Sequence, residues 1–237
     1  MEHSNLSHKR SRIFEGGNDA VNLNDVGLIY KTQRIGPMTF RNLRNADYGT
    51  GFRMPTMPEL VSLVYASLEN RNYGGAKEVI KTLKNHWIAG NTGILYTPEG
   101  MYVQDNPNME DGGISMNQKV LEGKLGRHQE KGVLFSNDRS IRFTPYNYKT
   151  ESQSSLEFSQ NSGIIALIGG EENAEKLTKA SEHYCSNPYF LALDKPTSPE
   201  VRVGGFGTYF VDNRLYADAY VDVGFGDWYS FGVKKIT

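Results

Sequence analysis

A chain of 237 residues is long enough to bury a sizeable core, as one large domain or two small ones. Its 22% charged and 38% hydrophobic content is ordinary for a globular protein, and a net charge of −1 supplies no field that would draw it to nucleic acid or an anionic membrane. One cysteine, Cys185, excludes an internal disulfide framework and any cysteine-built metal cluster, and the longest apolar run, GIIALIGG at 163–170, is too short to cross a bilayer.

Residues 1–20 read as a polar, flexible tail whose HKRSR patch is a solvated charge run. The opening MEHSNLSHKRSRIFEGG lacks the apolar middle of a signal peptide, so the expectation is a product made in a reducing cytoplasm, to act there or on a virion. VGLIYKTQRIGPMTFRN reads as short strands broken at Gly36-Pro37.

FRMPTMPELVSLVYASLEN carries the first firm helix. Thr56 and Glu59 are spaced as a capping box, and Pro58 falls in the first turn, where its missing N–H costs nothing. Leu60, Val61, Val64 and Leu68 then recur on one face. Gly74-Gly75 separates this helix from a second one, with Ala76, Val79, Ile80, Leu83 and Trp87 on a common face. GILYTPEGMYV predicts a hairpin turning at Pro98-Glu99-Gly100, and QDNPNMEDGG a loop. GRHQEKGVLFSNDRSIRFTPYNY predicts further strand pairs. A third helix starts in GGEENAEKLTKASEHY, with Glu171 and Glu172 at its positive end and Ala174, Leu177, Ala180 and Tyr184 sharing a face. PYFLALD predicts a buried strand. Helices mixed with many short strands indicate an α+β domain with two or three helices and irregular, loop-rich antiparallel β structure.

From residue 201 the chain runs VRVGGFGTYFVDNRLYADAYVDVGFGDWYSFGVKKI. Val201, Val203, Leu215, Ala217, Ala219, Val221 and Val223 alternate with polar or aromatic residues, which makes one face dry and the other wet. Tyr216, Asp218, Tyr220 and Asp222 share the wet face. Residues 206–230 contain no Lys, Glu, Gln or Met, and every acid is Asp: Asp212, Asp218, Asp222 and Asp227. Average usage gives about five residues of those missing types plus Trp in such a window; only Trp228 is present. The residues found there are those encoded by triplets ending in C or T, the pattern that adenine mutagenesis of AAC-type codons leaves behind.

VRVGGFG, NRLYADAY and YSFGVKKI together resemble the end of C-type-lectin-fold domains of the formylglycine-generating type. FRMPTMPEL is similar to that family's helix start, an arginine, an apolar residue, proline and threonine followed by an acid. The fullest resemblance is to variable proteins of diversity-generating retroelements, in their archaeal or viral branch. It implies a single C-type-lectin-like domain over 21–237, with an insertion at about 90–160 and a variable ligand-binding region at about 206–230. Gly204, Gly205, Ala217 and Phe231-Gly232-Val233 then belong to the framework. Lys234 stands where the pattern has arginine, and the middle of the chain matches no motif.

Other site chemistries find little support. The five histidines, His3, His8, His86, His128 and His183, show neither HxH nor HExxH spacing, so no zinc site is expected. Asp105, Asn108, Glu110 and Asp111 supply oxygen ligands but read as a turn, without the Glu-Pro-Asn or Gln-Pro-Asp triplet of calcium-dependent lectins. GFGTYF and GVLFSN are neither GxxxxGK[ST] nor GxGxxG. Arg214 among four acids has the wrong sign for a nucleic-acid surface. Cys185 near a helix end is an incidental thiol.

The aromatics therefore carry the expectation. Phe206 and Phe231, each beside a scaffold glycine, are core. Tyr209, Phe210, Asp212, Asn213, Tyr216, Asp218, Tyr220, Asp222, Phe225, Asp227, Trp228 and Tyr229 form a ligand-contact surface, since Tyr and Trp offer large areas with few rotatable bonds. The expected function is non-enzymatic binding of a protein ligand, without cofactor, nucleic acid or membrane span. The alternatives are a calcium-independent carbohydrate-binding lectin and, further off, a formylglycine-generating-like oxidase.

Overall fold

The computed structural model describes residues 13–15, 20–110, 113–209 and 212–236, leaving aside the side chains of 13–15, Tyr209 and Val221. The chain begins with β1 (Ile13–Glu15), β2 (Ala20–Leu23), β3 (Leu28–Lys31) and β4 (Ile35–Met38). Helices α1 (Phe40–Arg44), α2 (Met57–Glu69) and α3 (Gly74–Asn85) follow. Next come β5 (Trp87–Thr97), β6 (Gly100–Asp105), β7 (Asn108–Glu110), β8 (Gly113–Ser115), α4 (Gln118–Glu122), β9 (Leu125–Glu130), β10 (Val133–Ser136) and β11 (Ile141–Pro145). The final third holds β12 (Glu151–Ser152), α5 (Ser155–Gln160), α6 (Ser162–Ile168), α7 (Glu171–Ser181), β13 (Tyr189–Leu191), β14 (Glu200–Tyr209), β15 (Arg214–Val221), β16 (Trp228–Ser230) and β17 (Val233–Lys235).

The local chemistry of α2 is the one its sequence announces. Glu59 Oε2 accepts from the Thr56 backbone N–H at 2.8 Å, and Leu60, Val61, Val64 and Leu68 are buried. Arg53 adds a two-pronged ion pair to the Glu59 carboxylate at 2.8 and 2.6 Å. Another free donor of this helix end, the Met57 N–H, is satisfied by Thr92 Oγ1 on β5 at 3.0 Å. Thr92 donates in turn to Asp105 Oδ1 at 2.7 Å, and fully buried Arg142 grips both Asp105 oxygens at 2.6 and 2.9 Å. One polar chain thus pins α2 to three neighbouring strands, β5, β6 and β11.

Eleven strands form the main sheet, in the order β12-β13-β15-β14-β5-β6-β11-β10-β9, with β16 beside β5 and β4 beside β16. Pairings are antiparallel except β13 with β15 and β16 with β5. The eleven-residue β5 is the axis. One edge pairs with β14 from Ile88 to Tyr96; the other pairs first with β16 and then with β6. It is buried at every residue after Trp87, as a strand covered on both faces must be. Helices α2, α3 and α6 line one face, over Ile88, Ile94, Tyr96, Phe206, Leu215, Ala217, Ala219 and Phe231, and α7 packs against α2, α5 and α6. A second, smaller core covers the opposite face with Phe40, Leu43, Tyr48, Met54, Ala89, Val203 and Trp228. A four-stranded sheet, β1-β2-β3-β17, returns the chain end to its beginning.

Several expectations are corrected here. Seven helices are described, against two or three expected; the additional α1, α4, α5 and α6 have five to seven residues each, too short for a periodic stripe to stand out. Trp87 does not share the α3 face, because His86 ends that helix and Trp87 opens β5. Gly36-Pro37 lies inside β4 and the break falls at 32–34. Of the tail expected over 1–20, residues 1–12 and 16–19 lie outside the described residues, while 13–15 pair with β2 as a strand. The stretch near 90–160, expected as an insertion, supplies β6, β9, β10, β11, β12 and most of β5 to the main sheet, as an insertion that extends a sheet would also do.

The Asp105–Arg142 pair gives a direct test of this framework. Asp105→Ala strands a buried guanidinium and is expected to cost ~3–5 kcal/mol in urea unfolding, whereas Arg142→Met with Asp105→Leu recovers most of that loss.

Candidate functional site

Strand β15 displays both faces at once. Leu215, Ala217 and Ala219 point into the helix-covered core, so the period-two reading holds along β15, whereas Val203, with Val201 and Val223 beside it, packs in the opposite core after a register shift between Val203 and Gly205. Tyr216, Asp218 and Tyr220 occupy the other face, but that face is wet only at its end. Tyr216 is 9% exposed, Asp218 3% and Tyr220 52%.

The tail itself covers the rest. Strand β16 lies beside the start of β5, with Trp228 opposite Trp87, and Ser230 Oγ donates to the Ala89 carbonyl at 2.9 Å. From there the Trp228 indole reaches over Gly205 of β14. A methyl group on Gly205 would collide with this ring and with the Ile88 carbonyl, so the position requires glycine. Gly207 is likewise roofed by the indole of Trp87. The rings continue as a series of contacts, the first three edge-on and the last tilted. Phe225 meets Trp228 at 6.0 Å, Trp228 meets Trp87 at 6.0 Å, Trp87 meets Tyr216 at 6.1 Å, and Tyr216 meets Tyr189 at 5.2 Å. Trp228 is fully buried, so the expectation that it stands outward as a contact residue is corrected: it is a floor.

Above this floor opens a cavity of about 460 Å³. Its walls are Trp87, Trp228, Asp218, Tyr220, Asp222 and Phe225, with Leu191 and Arg202 at the sides. Asp222 shapes the rim. Its Oδ1 accepts from the Gly224 N–H at 2.7 Å and its carbonyl from the Phe225 N–H at 3.1 Å, a turn that holds Phe225 44% exposed over the opening. Asp218 Oδ1 accepts from the Tyr220 N–H at 2.7 Å. Burial pushes its carboxyl up to about 7, an effect that the Tyr220 N–H only partly offsets. Arg202 is already engaged, its Nη2 on Glu200 Oε2 at 2.6 Å and its Nη1 on the Val201 carbonyl at 2.9 Å.

The other expected site residues do not converge on this cavity. Tyr229 points away, stacking on His86 at 4.3 Å with the Arg34 guanidinium 4.9 Å from its ring. Burial, then Arg34, lowers the His86 pKa. Asp212 and Asn213 turn the β14–β15 corner: Asp212 accepts from the Tyr216 hydroxyl, and Asn213 Nδ2 donates to the exposed Cys185 Sγ at 3.1 Å. Asp227 is exposed on the loop before β16. Tyr209 enters only through its backbone pairing with Arg214, and Phe210 lies outside the described residues. Sequence reasoning missed Trp87, Leu191 and Arg202. Their only signal was their place at strand starts or alternating strand positions, which does not say which strands become neighbours.

Among the described residues no group of three or more His, Cys, Asp or Glu side chains stands close enough to hold a metal ion. Asp105, Asn108 and Glu110 are dispersed, with Asp105 committed to Arg142 and Thr92.

The titration of Asp218 gives a signed prediction. Its folded value, about 7, lies above the ordinary 3.8, so the folded state pays for the charge at pH 8 and gains stability as pH falls through 7 towards 4. Asp218→Asn keeps the acceptor for Tyr220 and is expected to be more stable than the parent at pH 8 by on the order of 3 kcal/mol, the gap closing by pH 4 in denaturant titrations. Trp228→Ala, by contrast, is expected to lose ~3–5 kcal/mol at any pH.

No protein-family model and no curated protein matches the chain. One solved structure does, described as the accommodation of massive sequence variation in Nanoarchaeota by the C-type lectin fold. The two share 17% identity with a TM-score of 0.51, over 86% of this chain and 96% of the other. At that identity the likeness concerns architecture alone, and it agrees with the α+β class: the chain has a C-type lectin fold.

Proposed function

We propose that this protein is a non-enzymatic binding protein whose variable region, residues 206–230, presents a contact surface through its exposed side chains on a fixed lectin-like domain spanning 21–237, with a protein as ligand. The observation that carries this reading is the division of labour within the tail. Tyr220, Asp222, Phe225 and Asp227 are exposed, while Ala219 before them and Trp228, Ser230, Phe231 and Val233 after them are sealed into the framework. A surface that varies must hang from elements whose stability does not depend on it. Residues 206–230, lacking Lys, Glu, Gln and Met, also carry the composition that diversification by a retroelement leaves. The solved protein with the same fold is described in terms of massive sequence variation, which favours the same reading here.

Binding would come from the desolvation of Tyr220 and Phe225 against a partner, with Asp222 and Asp227 selecting its charge. A calcium-independent lectin is the second reading, favoured by the placing of four aromatic side chains and two carboxylates around one cavity. An oxidase has less to rest on: Cys185 is exposed and is not among the residues lining the cavity.

Two measurements test the proposal. Peptide ligands selected from a random displayed library against the full chain are expected to lose at least tenfold in affinity with Tyr220→Ala or Phe225→Ala. The same variants should unfold within about 0.5 kcal/mol of the parent, as surface substitutions do. A loss of several kcal/mol would place these rings in the framework. At the nucleotide level, a near-copy of the codons for 206–230 beside a reverse transcriptase gene, with adenines at the differing positions, is expected; its absence removes the retroelement from the account.

A further inference from the structure

Asp218 is the one carboxylate of the cavity that the fold has desolvated. It is 3% exposed and stands opposite Gly205 on β14 and Leu191 on β13, while the Trp228 indole covers Gly205. Oδ1 is taken by the Tyr220 N–H. Oδ2 accepts no hydrogen bond, and the side chain has no cationic partner, among the described residues. Such a group is costly, and folds normally pair it. A second carboxylate, Asp222, stands at the rim with only its own loop's N–H as partner. The single cation of the lining, Arg202, is neutralised by Glu200 and turned onto the Val201 carbonyl.

The lining is therefore rich in acceptors and has few free donors, and its walls are ring faces and edges. That chemistry suits a ligand group that only donates and that gains from aromatic surroundings. An alkylammonium has three donors and no acceptor, is attracted to ring faces, and needs one free carboxylate oxygen. A guanidinium fits less well, because its fork seeks both oxygens of a carboxylate, and Oδ1 is occupied. A sugar hydroxyl array needs donors as well as acceptors from the wall, and the described lining offers two uncommitted ones, the Tyr220 hydroxyl and the Nε1–H of the buried Trp228 indole.

We infer that the cavity between Trp228, Asp218 and the Asp222–Phe225 turn is a lysine pocket: it receives the ammonium end of a lysine side chain of the protein ligand, with Oδ2 of Asp218 as its counter-charge. The inference rests on the binding-protein reading above and adds the chemistry of the anchor. The Asp218 carboxyl, pushed towards its neutral form by burial, regains its charge when the ammonium enters. The aliphatic stem of the lysine lies between Phe225 and Tyr220, which are half-exposed without it.

The test uses the full chain and small probes: n-butylammonium, n-butylguanidinium, n-butanol and methyl glucoside, each followed through the amide resonance of Tyr220, whose N–H sits on Asp218. Butylammonium is expected to shift this resonance saturably in the millimolar range, at least tenfold more tightly than butanol or the glucoside and several-fold more tightly than butylguanidinium. Asp218→Asn, which keeps the fold, is expected to lower ammonium affinity at least tenfold, and Phe225→Ala several-fold. Equal affinity for butanol overturns the inference. Tighter binding of the glucoside does so too and favours the lectin reading, and so does an Asp218→Asn protein that binds ammonium as before. The two claims fail separately. Selected peptides that need Tyr220 and Phe225 but tolerate Asp218→Asn sink the lysine pocket and keep the contact surface. Ammonium binding in a protein whose peptide ligands ignore both rings sinks the contact surface and keeps the pocket.

Discussion

The seat of the Trp228 indole on the bare backbone of Gly205 is the contact on which the rest of the tail depends. Strand β16 approaches the start of β5 in parallel, and the ring it carries crosses Ala89 to lie on β14. Glycine at 205 makes that approach possible, and the approach fixes where the loop before β16 must begin and end. The turn set by Asp222 then hangs from two fixed points, the end of β15 and the start of β16. A loop so tethered keeps its two ends in place when side chains that do not build the turn, such as Phe225, are changed.

The same contact makes the site's electrostatics. By covering the second face of β14 and β15, Trp228 and Trp87 remove water from Asp218, although Asp218 lies on a strand whose neighbour Tyr220 is half in solvent. Desolvation without a counter-charge holds the carboxyl near neutrality. The cavity is thus a place where the cost of a desolvated carboxyl stands beside an opening. The Asp105–Arg142 pair elsewhere in the sheet shows the ordinary treatment of a shielded carboxylate, a two-pronged guanidinium together with a hydroxyl donor. The contrast between Asp105 and Asp218 separates a framework acid from a site acid.

Much of the architecture was legible along the chain because it rests on near neighbours. The Thr56–Glu59 box, the hairpin at 98–100, the α7 face of Ala174, Leu177 and Ala180, and the alternation of β15 all depend on contacts within a few residues, and all are present. The core places of Phe206 and Phe231 followed from their flanking glycines. What failed was range. Helices of five to seven residues carry too few turns to show a stripe, and Trp87 sat one residue past a helix end, where periodicity carries over by accident.

The sequence by itself determined the class of fold, the buried faces of its longer helices and of β15, and the residue types gathered in the tail, since propensity, capping and period are local properties. It could not determine which of those tail residues meet water. That was decided when β16 docked on β5, a pairing between residues more than a hundred positions apart that turned an expected contact residue, Trp228, into a floor and an expected surface acid, Asp218, into a buried one. Burial belongs to the assembled sheet and not to any stretch of chain, because the atoms that exclude water from Asp218 come from other strands and from the far side of a loop.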